Sequence, residues 1–163
     1  MRVGVTGHQR LRDRGGWDWV RTAVVATLQP ILDLEGISSL AVGADQVFAR
    51  CVLGLGGRLV AVVPFPEYAT SFSDPADQLE YVRLLNRAVR TVTLPGAADR
   101  ESAFFEAGKY VCGMSDLLLA VWDGKPAKGR GGTGDVVVYA LAAGKAVIQL
   151  DPFARTIKEL GPP

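Results

Sequence analysis

Residues 115–147 read Ser115-Asp116-Leu117-Leu118-Leu119-Ala120-Val121-Trp122-Asp123-Gly124, then Lys125-Pro126-Ala127-Lys128-Gly129-Arg130, then Gly131-Gly132-Thr133-Gly134-Asp135, and close on Gly144-Lys145-Ala146-Val147. The order is an apolar strand, a basic glycine-rich loop, a helix start, a glycine stop and a second apolar strand. A helix that follows a glycine turn presents backbone N–H groups with no intrahelical acceptor, at the positive end of the helix dipole. That is a setting for an anion, phosphate above all.

The same alternation runs outward from this stretch. Arg2–Thr6 is a short apolar strand ending at Gly7, and the following loop carries His8, Arg10, Arg12 and Arg14. Trp17, Val20, Val24, Leu28 and Ile31 recur at helical spacing, with Pro30 ending the regular turns. Ile37–Val42 reads as the second strand, stopping at Gly43-Ala44-Asp45; the next helix turns Val47, Cys51 and Val52 inward. Arg58–Val63 is an unbroken third strand, as expected for one covered on both faces.

Asp74-Pro75 predicts a helix start, with Leu79, Val82, Leu85 and Ala88 on its core face. Thr91–Leu94 is the fourth strand; a helix opened by Asp99 or Ser102 leads to the fifth, Leu117–Trp122; the sixth is Ala146–Leu150. Strands alternating with helices, with no hairpin signal, predict an α/β fold: a Rossmann-like, doubly wound, mainly parallel sheet of about six strands in the order 3-2-1-4-5-6, helices on both faces. Residues 1–163 are expected to form one domain, with 151–163 as a peripheral tail.

Composition narrows the function classes. The chain has 163 residues and a formal net charge of +1, so no global field favours nucleic acid or an acidic membrane, and neither is expected as a partner. No apolar run reaches the ~20 residues of a membrane span, and the first strand begins too near Met1 for a signal peptide. The expected location is cytoplasmic, with Cys51 and Cys112 as buried thiols. His8 is the only histidine, and no Cys/His spacing suits a metal. No cofactor and no metal are expected.

In a parallel sheet all loops that follow strands share one edge, where ligands bind. Six of the 18 Lys+Arg fall in two loops of that edge. The expected ligand-binding set is Thr6, Gly7, His8, Arg10, Gly43, Ala44, Asp45, Asp123, Arg130, Gly131, Gly132, Thr133, Gly134 and Asp135. Thr133 reads as the helix N-cap. Asp45 and Asp123 are placed to accept from ribose hydroxyls, with helix capping and a turn as their rival roles. Asp135 can satisfy the helix dipole by itself, which competes with a bound phosphate. Tyr68 and Phe72 can stack on a base or simply cover the sheet edge.

The Thr6-Gly7-His8 turn, Val42-Gly43-Ala44-Asp45, Trp122-Asp123-Gly124 and Gly131-Gly132-Thr133-Gly134-Asp135 together resemble the Rossmann-like SLOG superfamily, over roughly Arg2–Leu150. That group includes Lonely Guy phosphoribohydrolases, molybdenum-cofactor carrier proteins and DNA-processing proteins. The resemblance implies a nucleotide or nucleotide-derived ligand and a homodimer or higher homo-oligomer. Lonely Guy enzymes carry P-G-G-x-G-T-x-x-E with a catalytic glutamate. Here Arg130 replaces the proline, Asp135 the threonine and Val138 the glutamate. An aliphatic residue does none of a carboxylate's acid–base or electrostatic work.

The leading expectation is therefore a nucleotide-binding sensor or carrier. An N-glycosidic-bond hydrolase, resembling a phosphoribohydrolase or a deoxyribosyltransferase, is the alternative, with Asp135 or Asp123 as catalytic candidates and Glu106 as a remote one. A scaffold with a vestigial edge is the third possibility. Adjacent Phe104 and Phe105 suggest helix 101–114 as a dimer surface, because one of the two rings must leave the core face.

Overall fold

The computed structural model describes residues 1–13, 15–127, 129 and 131–161. Arg14, Lys128 and Arg130 lie outside the described residues, so the expectations placed on them are not addressed by it. Strands β1 (Arg2–Gly7), β2 (Glu35–Ser38), β3 (Arg58–Val63), β4 (Arg90–Thr93), β5 (Leu117–Val121), β6 (Ala146–Asp151) and β7 (Thr156–Leu160) form one sheet in the order β4-β3-β2-β1-β5-β6-β7. All pairings are parallel except β6 with β7. Helices α1 (Gly16–Leu28), α2 (Ala44–Gly54), α3 (Pro75–Leu85), α4 (Arg100–Met114) and α5 (Thr133–Ala142) connect the strands, with a short 3₁₀ turn at Tyr68–Ser71.

Alternation along the strands divides the core. Val3 and Val5 of β1 and Leu119 and Val121 of β5 pack under α1 and α2, beside Phe48. Leu118 and Ala120 of β5 and Val60 and Val62 of β3 pack under α4 and α5. A third cluster joins Leu59, Ala61 and Val63 of β3 to Tyr68, Tyr81 and Leu84. The α/β, mainly parallel, Rossmann-like architecture is as expected.

The strand order is not. β4 lies at the edge beside β3, and β5, not β4, is the partner of β1. The chemistry of the strands accounts for this. Arg90-Thr91-Val92-Thr93 is mostly exposed, which an edge strand tolerates, whereas Leu118, Leu119, Ala120 and Val121 are at most 1% exposed, as a central strand requires. The reversal of direction therefore falls between β1 and β5.

Other corrections are local. β2 begins and ends earlier than expected, because the Asp45 carboxylate takes the Ser39 N–H at 3.0 Å and Leu40 adopts φ 57°. Asp74 caps α3 through Ala76 N–H and Pro75 opens it, as expected. Leu85 and Ala88 pack against the core as expected, but the buried residues of α3 are Tyr81 and Leu84, while Leu79 is 63% and Val82 39% exposed. Aromatic packing turns the helix: Tyr81 lies 5.3 Å from Tyr68 and 5.0 Å from Phe72 between ring centroids.

Residues 151–163 are not a peripheral tail throughout, since 156–160 form β7, the antiparallel edge strand. Phe104 and Phe105 are both partly buried: Phe104 faces Phe65 and Tyr68, and Phe105 faces Tyr139 with Lys109 over its ring. Helix α4 has core on two sides, so each ring is partly covered within the chain. Among the described residues no helix is long and apolar enough to cross a membrane.

Candidate functional site

The β1/β5 reversal opens a cleft of about 1090 Å³ at the carboxyl edge of the sheet. This is at the upper end of the roughly 300–1,000 Å³ typical of small-molecule sites. Of the expected residues, Thr6, Gly7, His8, Arg10, Asp45, Asp123, Gly131, Gly132, Thr133 and Gly134 line it. Parallel pairing of β1 with β5 sets Gly7 level with Val121, so the loops that leave both strands start side by side.

One wall is the turn into α5. Its N-cap is Gly132, not Thr133, and no side chain of the described residues caps it. Asp135 and Val136 donate to Gly132 O, leaving the Thr133 and Gly134 amides at the positive end of the dipole, beside the cleft. Gly131 has φ 80°, and a Cβ there would lie 2.7 Å from Glu101 O, so glycine is required for the turn to lie against α4. The Asp135 carboxylate accepts from Gly131 N–H at 2.8 Å. Asp135 is thus turned back into its own loop and does not line the cleft, and one of the loop's donors is already taken.

The opposite wall is the loop after β1. His8 N–H donates to Val121 O and His8 O accepts from Ala44 N–H, which pins the loop between β5 and α2. Gly43 and Ala44 do not line the cleft. Both were expected in the ligand-binding set; instead the Ala44 amide donates to His8 O, and the two residues serve as the seat of the β1 loop. Arg10 reaches the rim but is paired with Asp77 at 2.6 Å. Arg12 also lines the cleft and has no ion-pair partner among the described residues.

Asp123 stands on the floor. Its Oδ1 is 3.4 Å from His8 Nε2 and its Oδ2 is 3.5 Å from Lys125 Nζ. Burial works to raise the Asp123 carboxyl, but the Lys125 N–H, the His8 imidazole and the Lys125 ammonium outweigh it and hold it below the usual carboxylate range. His8 Nε2 is out of reach of solvent and, despite the short distance, is aligned for a hydrogen bond with no described residue. It is a polar atom in the cleft wall whose bonding capacity is unused.

Asp45 is 7% exposed and accepts from Ser38 Oγ at 2.9 Å and from Ser39 N–H. It clasps the β2–α2 loop rather than presenting a carboxylate free for ribose. Burial pushes its carboxyl up to about 6, against the opposing hydrogen bonds from Ser38 and Ser39. A folded-state value above the unfolded one means that the native protein holds the proton more tightly. The resulting stability is fully present below the unfolded pKa and is lost as pH rises through about 6. Comparing urea unfolding of wild type with Asp45→Asn should show a wild-type excess that falls by on the order of 2–3 kcal/mol between pH 4 and pH 7. A parallel pH dependence in the two proteins would contradict this.

Tyr68 lines the cleft but is 3% exposed within the aromatic cluster, and Phe72 packs behind it, so both act as cover. Val138 is 65% exposed on the outer face of α5, so the position that corresponds to the Lonely Guy glutamate points away from this cleft. Glu106 also lies outside, paired with Lys109 at 2.6 Å. Trp122 donates through Nε1 to Lys125 O in the lining, and among the lining residues with no role assigned from the sequence are Gln9 and Phe153, the latter on the turn between β6 and β7. Only the hairpin makes Phe153 visible as part of the site.

No family model matches the chain, and no curated protein matches it. Solved structures do. DNA processing protein A from Streptococcus pneumoniae superposes with a TM-score of 0.64 at 20% identity, over 92% of this chain and 50% of that one. The Helicobacter pylori protein, described by its single-stranded DNA binding mode, gives 0.66 at 14% identity over 93% and 65%. The molybdenum cofactor carrier protein from Chlamydomonas reinhardtii gives 0.57 at 17% identity over 91% and 74%. The chain therefore spans between half and two thirds of the length of the two DNA-processing structures.

The expectation that nucleic acid is excluded as a partner is corrected by the Helicobacter pylori structure. A net charge near zero does not exclude nucleic acid from this fold, because binding responds to local cation placement and not to the total. With the β1/β5 reversal, the cleft above it and these neighbours in hand, the chain carries the same Rossmann-like α/β fold as these DNA-processing and molybdenum cofactor carrier structures.

Proposed function

We propose that this chain binds a nucleotide or a phosphorylated nucleoside derivative in the cleft, as a sensor or carrier. The observation that carries the reading is the first turn of α5, without a side-chain cap among the described residues, opening on a cleft large enough for a phosphate and a heterocycle together. Arg12, on the opposite wall, and Lys125 supply positive charge to the cleft. The phosphate meets the Thr133 and Gly134 amides, and Asp123 with His8 faces the sugar.

Calorimetric titration with inorganic phosphate and nucleoside monophosphates tests this. Wild type should bind at least one phosphorylated ligand, with affinity falling as salt rises. Arg12→Ala should weaken it by about tenfold, the loss of one charge-assisted contact. If no phosphorylated ligand binds, or if Arg12→Ala and Thr133→Val leave affinity unchanged, the reading fails.

The His8–Asp123 pair favours a second reading, hydrolysis of an N-glycosidic bond, in which Asp123 stabilises positive charge developing on the sugar. Asp135 is the poorer candidate, being bonded to the Gly131 amide. Chromatography for free base over the same monophosphates separates the two readings.

A further inference from the structure

We infer that the β6–β7 turn forms a stacking subsite for a flat heterocyclic base, with the Phe153 ring as the platform and the His8 imidazole packed beside that ring. The inference deepens the nucleotide reading and rests on it for the position of the phosphate. Phe153 lines the cleft and is 49% exposed, an apolar ring left half open at a site instead of being folded into the core. The turn is built to hold it there. Asp151 Oδ1 accepts from Phe153 N–H at 2.9 Å and from Ala154 N–H at 3.0 Å. On the far side Arg155 reaches Asp13 at 3.3 Å, tying the hairpin to the loop that carries His8.

The Phe153 and His8 rings lie 6.2 Å apart between centroids with their planes tilted by 59°. They do not stack on each other. At that separation and tilt the two rings already touch, so a base is taken up on the exposed part of Phe153, a half-exposed ring that reorients fast.

The stacking ring and the phosphate site are carried by the loops that follow the neighbouring strands β6 and β5, and both line the one cleft. Stacking reads the face common to all bases, so the subsite favours a heterocycle without selecting which one. A free nucleotide and a single-stranded nucleic acid present the same face.

The test is titration of wild type, Phe153→Ala and Phe153→Trp with AMP, adenosine, ribose 5-phosphate and a short oligothymidylate, read by calorimetry. Wild type should bind AMP about 5- to 100-fold more tightly than ribose 5-phosphate. Phe153→Ala should remove that advantage while lowering ribose 5-phosphate binding far less, and Phe153→Trp should restore it. An oligothymidylate that binds and loses affinity in Phe153→Ala, with AMP inactive, makes the polymer the source of the base. Adenosine binding that depends on Phe153, with no binding of ribose 5-phosphate, upholds the stacking subsite and removes the phosphate reading. The inference is overturned if AMP binds no better than ribose 5-phosphate and the oligonucleotide is insensitive to Phe153, if Phe153→Ala binds every ligand as wild type does, or if none of the four binds. Melting curves of the variants should match wild type, because the replaced ring is half exposed.

Discussion

Gly43→Ala should destabilise the protein by about 3 kcal/mol or more and disorganise the cleft at the same time. Gly43 has φ 87° and ψ −120°, a backbone conformation that a residue with a Cβ adopts only under strain. The added carbon would lie 2.4 Å from the Gln9 carbonyl oxygen and 2.6 Å from that of His8. These are backbone atoms, and they cannot swing aside. His8 is held at both its N–H and its carbonyl, by Val121 and Ala44. Relief requires moving the whole loop that presents His8, Gln9, Arg10 and Arg12 to the cleft. Urea unfolding should show a lower midpoint with an unchanged slope, and any ligand of the cleft should bind more weakly to the folded fraction. A loss below about 1 kcal/mol would mean that the β1 loop yields easily and is not the rigid wall described above.

Phe48→Ala should cost about 3–5 kcal/mol. Phe48 is 0% exposed and heads the fully buried side chains by volume. It packs from α2 into the cluster that holds Val3, Val20, Val24 and Leu119. Its ring lies 3.0 Å from where a Cβ of Gly36 would stand, so β2 leaves out a side chain to seat it. Surrounding strands cannot collapse into the space without breaking register with β1 and β3, so most of the cavity would persist. Leu79→Ala on α3 is the control: at 63% exposure it should change stability by no more than about 0.5 kcal/mol. Equal losses at the two positions would contradict the burial pattern. The pair also separates the observed α3 face from the one its spacing suggests.

The two positions show what the sequence makes legible. Phe48 lies on the α2 face marked by Val47, Cys51 and Val52, and the helix is where the apolar spacing puts it. For α3 the same spacing rule misleads, because Leu79 and Val82 repeat as well as Tyr81 and Leu84 do. The aromatic group at Phe65, Tyr68 and Phe72 decides which pair turns inward, and that group assembles only when β3 and α3 meet. Gly43 illustrates a different ambiguity. A glycine after a strand and before a helix serves equally as a cradle for an anion or as a seat for another loop. Sequence does not separate the two; the hydrogen bond from Ala44 to His8 does.

The strand order was closer to the surface of the sequence than the expectation allowed. Arg90-Thr91-Val92-Thr93 carries the polar composition of an edge, and Leu117–Val121 that of a centre. Ranking strands by apolar continuity would have placed β5 beside β1 without a structure. Once β5 is there, Thr6–His8 and Asp123 become neighbours and the crevice has two definite walls.

By itself the sequence determined the alternation of strands and helices, hence the parallel sheet, hence the single edge to which Thr6, Gly7, His8, Asp45, Asp123 and Gly131–Gly134 all belong. Local propensity and hydrophobic period are properties of short segments, and a parallel crossover sends every following loop the same way. Tertiary structure alone decided which of those residues are already spent. It turned Asp135 onto Gly131, Asp45 onto Ser38 and Ser39, and Ala44 onto His8, and it set His8 Nε2 beside Asp123 without a hydrogen bond among the described residues. It also folded 151–160 back as a hairpin that carries Phe153 over the cleft. Each of these outcomes depends on distances between groups far apart in the chain or on the turn a loop takes under packing, and no periodicity in the sequence encodes them.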